Sequence, residues 1–161
     1  MAKKSIPTLV LDVDGVLNRC GKSAQGLEHE QCELLREIIK TTGCHVVVSS
    51  TWRKTEWQRE RLIKLLLGMG ATIAGWTPIL DFKANEDSLV VSAVPKDQEI
   101  TAWLKDHPEV TRYVVLDDDI GPGSLVDGHL VQTQSFVGLT RELADECIKR
   151  LNCASLAPAD P

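Results

Sequence analysis

The sequence predicts an α/β domain in which a parallel sheet is covered by helices on both faces. Two observations lead there. Short, mostly apolar runs recur at Thr8-Leu9-Val10-Leu11, His45-Val46-Val47-Val48 and Tyr113-Val114-Val115-Leu116, as strands buried on both sides require. Stretches with helical spacing lie between and after them, and that alternation builds parallel sheets through crossover helices.

Each element has its own signal. After the first strand, residues 28–42 place Leu34, Leu35, Ile38 and Ile39 on one helical face, and Gly43 supplies a stop. After the second strand, residues 54–68 bring Leu62, Leu65 and Leu66 together, with Met69 just beyond. Room follows for a strand and a loop of modest length, about Trp76 to Val94. Residues 97–107 carry Ile100, Trp103 and Leu104 on one stripe, with Trp103 read as core. Thr140 is suited to cap a last helix bearing Leu143, Ala144, Cys147, Ile148 and Leu151. The whole reads as one domain over residues 1–153, with an Ala- and Pro-rich tail, 154–161, that is expected to be loose.

Bulk properties narrow the function classes. At 161 residues the chain suffices for one domain with a real core. No apolar run approaches the ~18 residues of a membrane helix, so no membrane partner is expected. Five cysteines, an odd number without a Cys-x-x-Cys pair, argue for reduced thiols and a cytoplasmic protein. His29, His45, His107 and His129 show no ligand spacing and read as structural or exposed. A net charge of −5 gives no global attraction to nucleic acid, although a local basic face remains open. Nothing in the sequence fixes an oligomeric state, and a monomer is compatible with it.

Open parallel sheets place their chemistry at the carboxyl ends of the strands. Three strand exits therefore matter most: Asp12-Val13-Asp14-Gly15, Ser49-Ser50-Thr51-Trp52-Arg53 and Asp117-Asp118-Asp119. Two metal- or phosphate-binding alternatives compete at the first. Gly21-Lys22-Ser23 has the ending of a phosphate loop, but that motif needs a glycine five residues before Gly21, where Val16 stands. A calcium loop needs Asp-x-Asp-x-Asp-Gly after a helix, and here Gly15 comes too early and a strand precedes it. The remaining reading is a paired-carboxylate site. In an extended chain Asp12 and Asp14 point the same way, and Gly15 permits a sharp exit. Two ionised carboxylates at that distance call for a cation, and Asp117 or Asp118 would complete a hard oxygen set suited to Mg²⁺. Ser49 or Ser50 can donate a hydroxyl hydrogen bond, and Lys96, opening a helix, is the best cationic candidate.

The stretches LVLDVDGVLN, VVVSSTWR, PKDQEITAWL and YVVLDDD, in that order, resemble the four motifs of the haloacid-dehalogenase-like (HAD) phosphohydrolases, with Gly138-Leu139-Thr140 fitting as well. The resemblance implies a three-layer, Rossmann-like parallel sheet and an Mg²⁺-dependent phosphatase. It implies Asp12 as nucleophile, forming an aspartyl-phosphate, and Asp14 as general acid and then base. It implies Ser50, with Ser49 as rival, on the phosphoryl oxygens, and Lys96 neutralising charge. Asp12, the Asp14 carbonyl, and Asp118 or Asp117 would hold Mg²⁺. Neither interval between motifs leaves room for a large cap domain. An open site suits a phosphate on a large substrate, such as a polynucleotide end. The segment Ser-x-Trp-Arg resembles a compact subgroup found in RNA-repair proteins. Gly15, Ser49, Thr51, Trp52 and Arg53 are accordingly expected at the substrate, Trp52 by stacking and Arg53 by charge. A small-molecule or nucleotide monophosphatase and a non-catalytic binding module of the same fold are the alternatives.

Overall fold

A computed structural model describes residues 5–21, 26–80 and 94–153. Lys22 and Ser23, most of the expected loop before Val94, and the tail from Ala154 lie outside them. The described chain forms five strands and four α-helices in the order β1 (Thr8–Leu11), α1 (His29–Thr42), β2 (His45–Val48), α2 (Glu56–Gly68), β3 (Thr72–Trp76), α3 (Lys96–Asp106), β4 (Tyr113–Asp117), β5 (Leu130–Gln132) and α4 (Arg141–Asn152). All the strand pairings are parallel, in the spatial order β3-β2-β1-β4-β5.

Strand alternation sorts the core into two halves. Leu9, Leu11, Val46, Val48, Val114 and Leu116 point to one face, where Leu35 and Ile38 of α1, Leu62 and Leu66 of α2, and Ala144, Cys147 and Leu151 of α4 pack on them. Val10, Val47 and Val115 point to the other, against Ile100 and Trp103 of α3 with Ile120 and Val126. This is the three-layer arrangement that the apolar runs predict. Right-handed crossovers explain the asymmetry: β1 to β3 runs outward in one direction, and the return from β3 to β4 puts α3 on the opposite face. Each fully buried Leu contributes about 1.5–3 kcal/mol of hydrophobic stabilisation.

The helix signals act as read. Gly43 closes α1 in the left-handed region, φ 63°, its N–H bonding the Ile39 carbonyl. The Thr140 hydroxyl accepts the Leu143 N–H at the start of α4. Two details differ from the sequence expectation. The second helix begins at Glu56 rather than residue 54, because Thr51–Lys54 tighten into a 3-10 turn capped by Ser50. β5 is an addition: three residues long and buried only at Val131, it carries too little apolar signal to be read from sequence.

Because β1 lies between β2 and β4, the chain order reverses beside it. The carboxyl ends of the strands at such a reversal are the position where ligands bind in open parallel sheets. No cap domain stands over them among the described residues.

Candidate functional site

The exits of β1 and β4 bring their carboxylates together. One oxygen from each of Asp12, Asp117 and Asp118 lies within 4.8 Å of the others. Lys96, the first residue of α3, reaches in from the opposite layer: its Nζ is 2.7 Å from Asp12 Oδ2 and 3.2 Å from Asp117 Oδ2. Asp12 and Asp117 are buried, Asp118 partly so and Asp119 exposed.

Burial pushes the Asp12 carboxyl up to about 7; the Asp117 charge adds to the rise and Lys96 opposes it. Asp117 is raised too, chiefly by burial and against the pull of Lys96. Burial alone would lower Lys96, but attraction to both aspartates outweighs it and holds the ammonium above its ordinary value. Two buried carboxylates share one ammonium, so negative charge is in excess before Asp118 is counted. The donors are all hard oxygens, and the surplus is of the sign a divalent cation neutralises. The set is therefore suited to a divalent metal ion.

Asp117 and Asp118 differ in what they have free. Both Asp117 oxygens are engaged, Oδ1 by the Asp119 N–H at 2.8 Å and Oδ2 by Lys96. Asp118 Oδ2 accepts the Ser135 hydroxyl at 2.7 Å. Gly15 makes room for this side chain. Its φ is +76°, and a Cβ there would come within 2.1 Å of Asp118 Oδ2, so only glycine lets β1 and β4 exit this close together.

Asp14 stands apart from the metal-type cluster. Its Oδ1 accepts two neutral donors, Asn18 Nδ2 at 2.9 Å and Trp52 Nε1 at 3.1 Å. Asn18 also accepts the Gly15 N–H through its Oδ1, locking the turn. With Oδ1 doubly occupied, Oδ2 is the oxygen left to carry or take a proton.

Three of the residues expected at the substrate are placed otherwise. Arg53 is buried, and its guanidinium serves the carbonyls of Ser49, Ser50, Thr77 and Pro78 and an ion pair with buried Glu99. No donor is left over for an incoming phosphate, because the carbonyls beyond the ends of β2 and β3 and the Glu99 carboxylate take them all. Trp52 is 0% exposed, so it holds Asp14 rather than stacking on a ligand. The Gly15 N–H and carbonyl are both spent inside the protein, the latter on the Thr133 hydroxyl at 2.7 Å. Thr51 is exposed at the start of the 3-10 turn. Ser50 Oγ accepts the Trp52 N–H at 3.2 Å and keeps its own proton to donate, whereas buried Ser49 Oγ has no partner among the described residues.

Sequence reasoning missed Asn18, Glu99, Thr133 and Ser135. Asn18 had a local signal, a short polar side chain closing a turn four residues after Asp14. The others reach the site only through tertiary packing and left none.

The family described as the HAD domain in Swiss Army Knife RNA repair proteins matches the chain over residues 8–144, which takes in all five strands and every residue of the carboxylate site. No curated protein and no solved structure matches it.

Proposed function

The chain belongs to the family of HAD domains found in Swiss Army Knife RNA repair proteins, and from that premise we propose that it is an Mg²⁺-dependent phosphatase acting through an aspartyl-phosphate. The observation that supports this reading best is the division of labour among its carboxylates. Asp12, Asp117 and Asp118 converge with Lys96, while Asp14 is held separately by Trp52 and Asn18.

In this reading Asp12 attacks phosphorus as the ester P–O bond breaks. Asp14, protonated on Oδ2, gives its proton to the leaving oxygen. Asp14 then takes a proton from water, the water oxygen bonds phosphorus, and Asp12 is released. One water is consumed per phosphate freed. Lys96 favours the ionised form of Asp12 against the effect of burial and faces the phosphoryl charge, with Ser50 or Ser49 as hydroxyl donor. Mg²⁺ held by Asp12, Asp118 and the Asp14 carbonyl would supply neutralisation of the phosphoryl oxygens. Asp118 is preferred to Asp117 because Asp117 has both oxygens engaged. The absence of a cap domain among the described residues and the family's association with RNA repair favour a polynucleotide end as substrate. Five unpaired cysteines accord with a reducing, cytoplasmic setting.

The test is turnover of an aryl phosphate with and without Mg²⁺. Hydrolysis should require the ion and fall at least about a thousandfold in Asp12→Asn. Undiminished turnover in that variant would overturn the reading.

A further inference from the structure

Aromatic residues are scarce in this chain, at 4%. Among the described residues, two of the rings are exposed: Trp57 at 50% and Phe136 at 77%. Single exposed apolar side chains are ordinary. What distinguishes these two is position, since each adjoins a residue that directly holds a site carboxylate.

Trp57 lies in the first turn of α2, its ring centroid 6.4 Å from that of Trp52, whose indole N–H holds Asp14. Phe136 follows Ser135, whose hydroxyl holds Asp118. It sits in a turn tied down by bonds from the Val137 and Gly138 amides to the Gln134 carbonyl, and by the Cys20 N–H on the Ser135 carbonyl. The rings thus adjoin the carboxylate centre through different neighbours, Trp57 through Trp52 and Asp14, Phe136 through Ser135 and Asp118, each on an anchored element. Lys54 and Lys64 are exposed near Trp57, and Lys64 shares its face of α2 two turns on.

We propose that Trp57 and Phe136 are stacking platforms for the bases of a single-stranded polynucleotide whose terminal phosphate enters the carboxylate centre. The inference rests on the phosphatase reading for the phosphate, but the base contacts stand on their own geometry. Charge argues for stacking as the source of grip. A protein of net charge −5, with an acidic site, gains little from counterion release on a polyanion. Aromatic stacking needs no charge and contributes about 1–3 kcal/mol per base whatever the sequence. The two rings take over the role that the sequence suggested for Trp52, which is buried.

The test measures binding by fluorescence anisotropy, in Mg²⁺ and on an Asp12→Asn background, of end-phosphorylated RNA oligonucleotides. One oligonucleotide carries bases at its last two positions and its match is abasic there. The intact protein should bind the base-bearing oligonucleotide at least about 30-fold more tightly, since two stacked bases at about 1–3 kcal/mol each multiply. Trp57→Ala or Phe136→Ala should reduce that preference severalfold, and the double substitution should bring it close to unity. Trp57→Phe should keep most of it. Equal affinity of the intact protein for the two oligonucleotides, or a preference untouched by the double substitution, would overturn the inference. Thermal melting of each variant excludes a folding defect. Turnover of acetyl phosphate by the wild type reports separately on the phosphatase reading. A protein that hydrolyses no phosphate but prefers bases through these rings would refute that reading and leave this inference standing.

Discussion

At the scale of single residues, Asp14 owes its place to one neighbour far from it in sequence and one close by. Trp52 contributes a buried indole N–H to Asp14 Oδ1, and Asn18 contributes a second donor. A hydrogen bond to a charged group is worth about 1.5–3 kcal/mol, so its loss should appear in catalysis. In Trp52→Phe, which keeps the ring packing and removes the donor, kcat should fall about ten- to hundredfold with KM little changed. An unchanged kcat would show that the indole N–H does not position the acid. Asp12, Asp14 and the aspartates after β4 were legible in the sequence because strand-end carboxylates are a local pattern. The parts of Trp52 and Arg53 were not. Adjacency to the motif suggested substrate contact, whereas burial decided that both side chains face inward.

At the scale of elements, the Arg53–Glu99 pair joins the exit of β2 to the first turns of α3. It thereby links the serine loop to the helix that carries Lys96. Glu99 also accepts the Leu80 N–H through its other oxygen. Removing one partner of a buried ion pair strands the other, which costs about 3–5 kcal/mol. Arg53→Ala should lose stability of that order in urea unfolding. Arg53→Lys should recover little, since one ammonium cannot serve four carbonyls and a carboxylate together. A loss below about 1 kcal/mol would show that the pair is dispensable. The long helices and central strands were readable because their apolar spacing is strong. The late start of α2 was not: Ser50 caps the 3-10 turn locally, but Arg53 turns inward onto Thr77, Pro78 and Glu99, a tertiary effect.

At the scale of the whole molecule, the sheet order β3-β2-β1-β4-β5 converts three separate sequence motifs into one site. β1 and β4 are neighbours although Asp12 and Asp117 lie on distant parts of the chain, and α3 crosses to the other face to bring Lys96 back to both. That convergence was legible only as an expectation from the order of the motifs. The spatial order, the short edge strand β5 and the loop carrying Ser135 depend on packing that no local pattern encodes. The central claim is that Asp12 is the group that takes up the phosphoryl. It is tested most directly by acid-quenching an Asp14→Asn variant during turnover of an aryl phosphate with Mg²⁺, then reducing with borohydride and mapping the peptides by mass spectrometry. The aryl leaving group needs little protonation, and without Asp14 the water step is slowed. The account predicts that residue 12 alone is converted to homoserine, and that Asp12→Asn abolishes the product. Substrate hydrolysis accompanied by an adduct at another residue would contradict it.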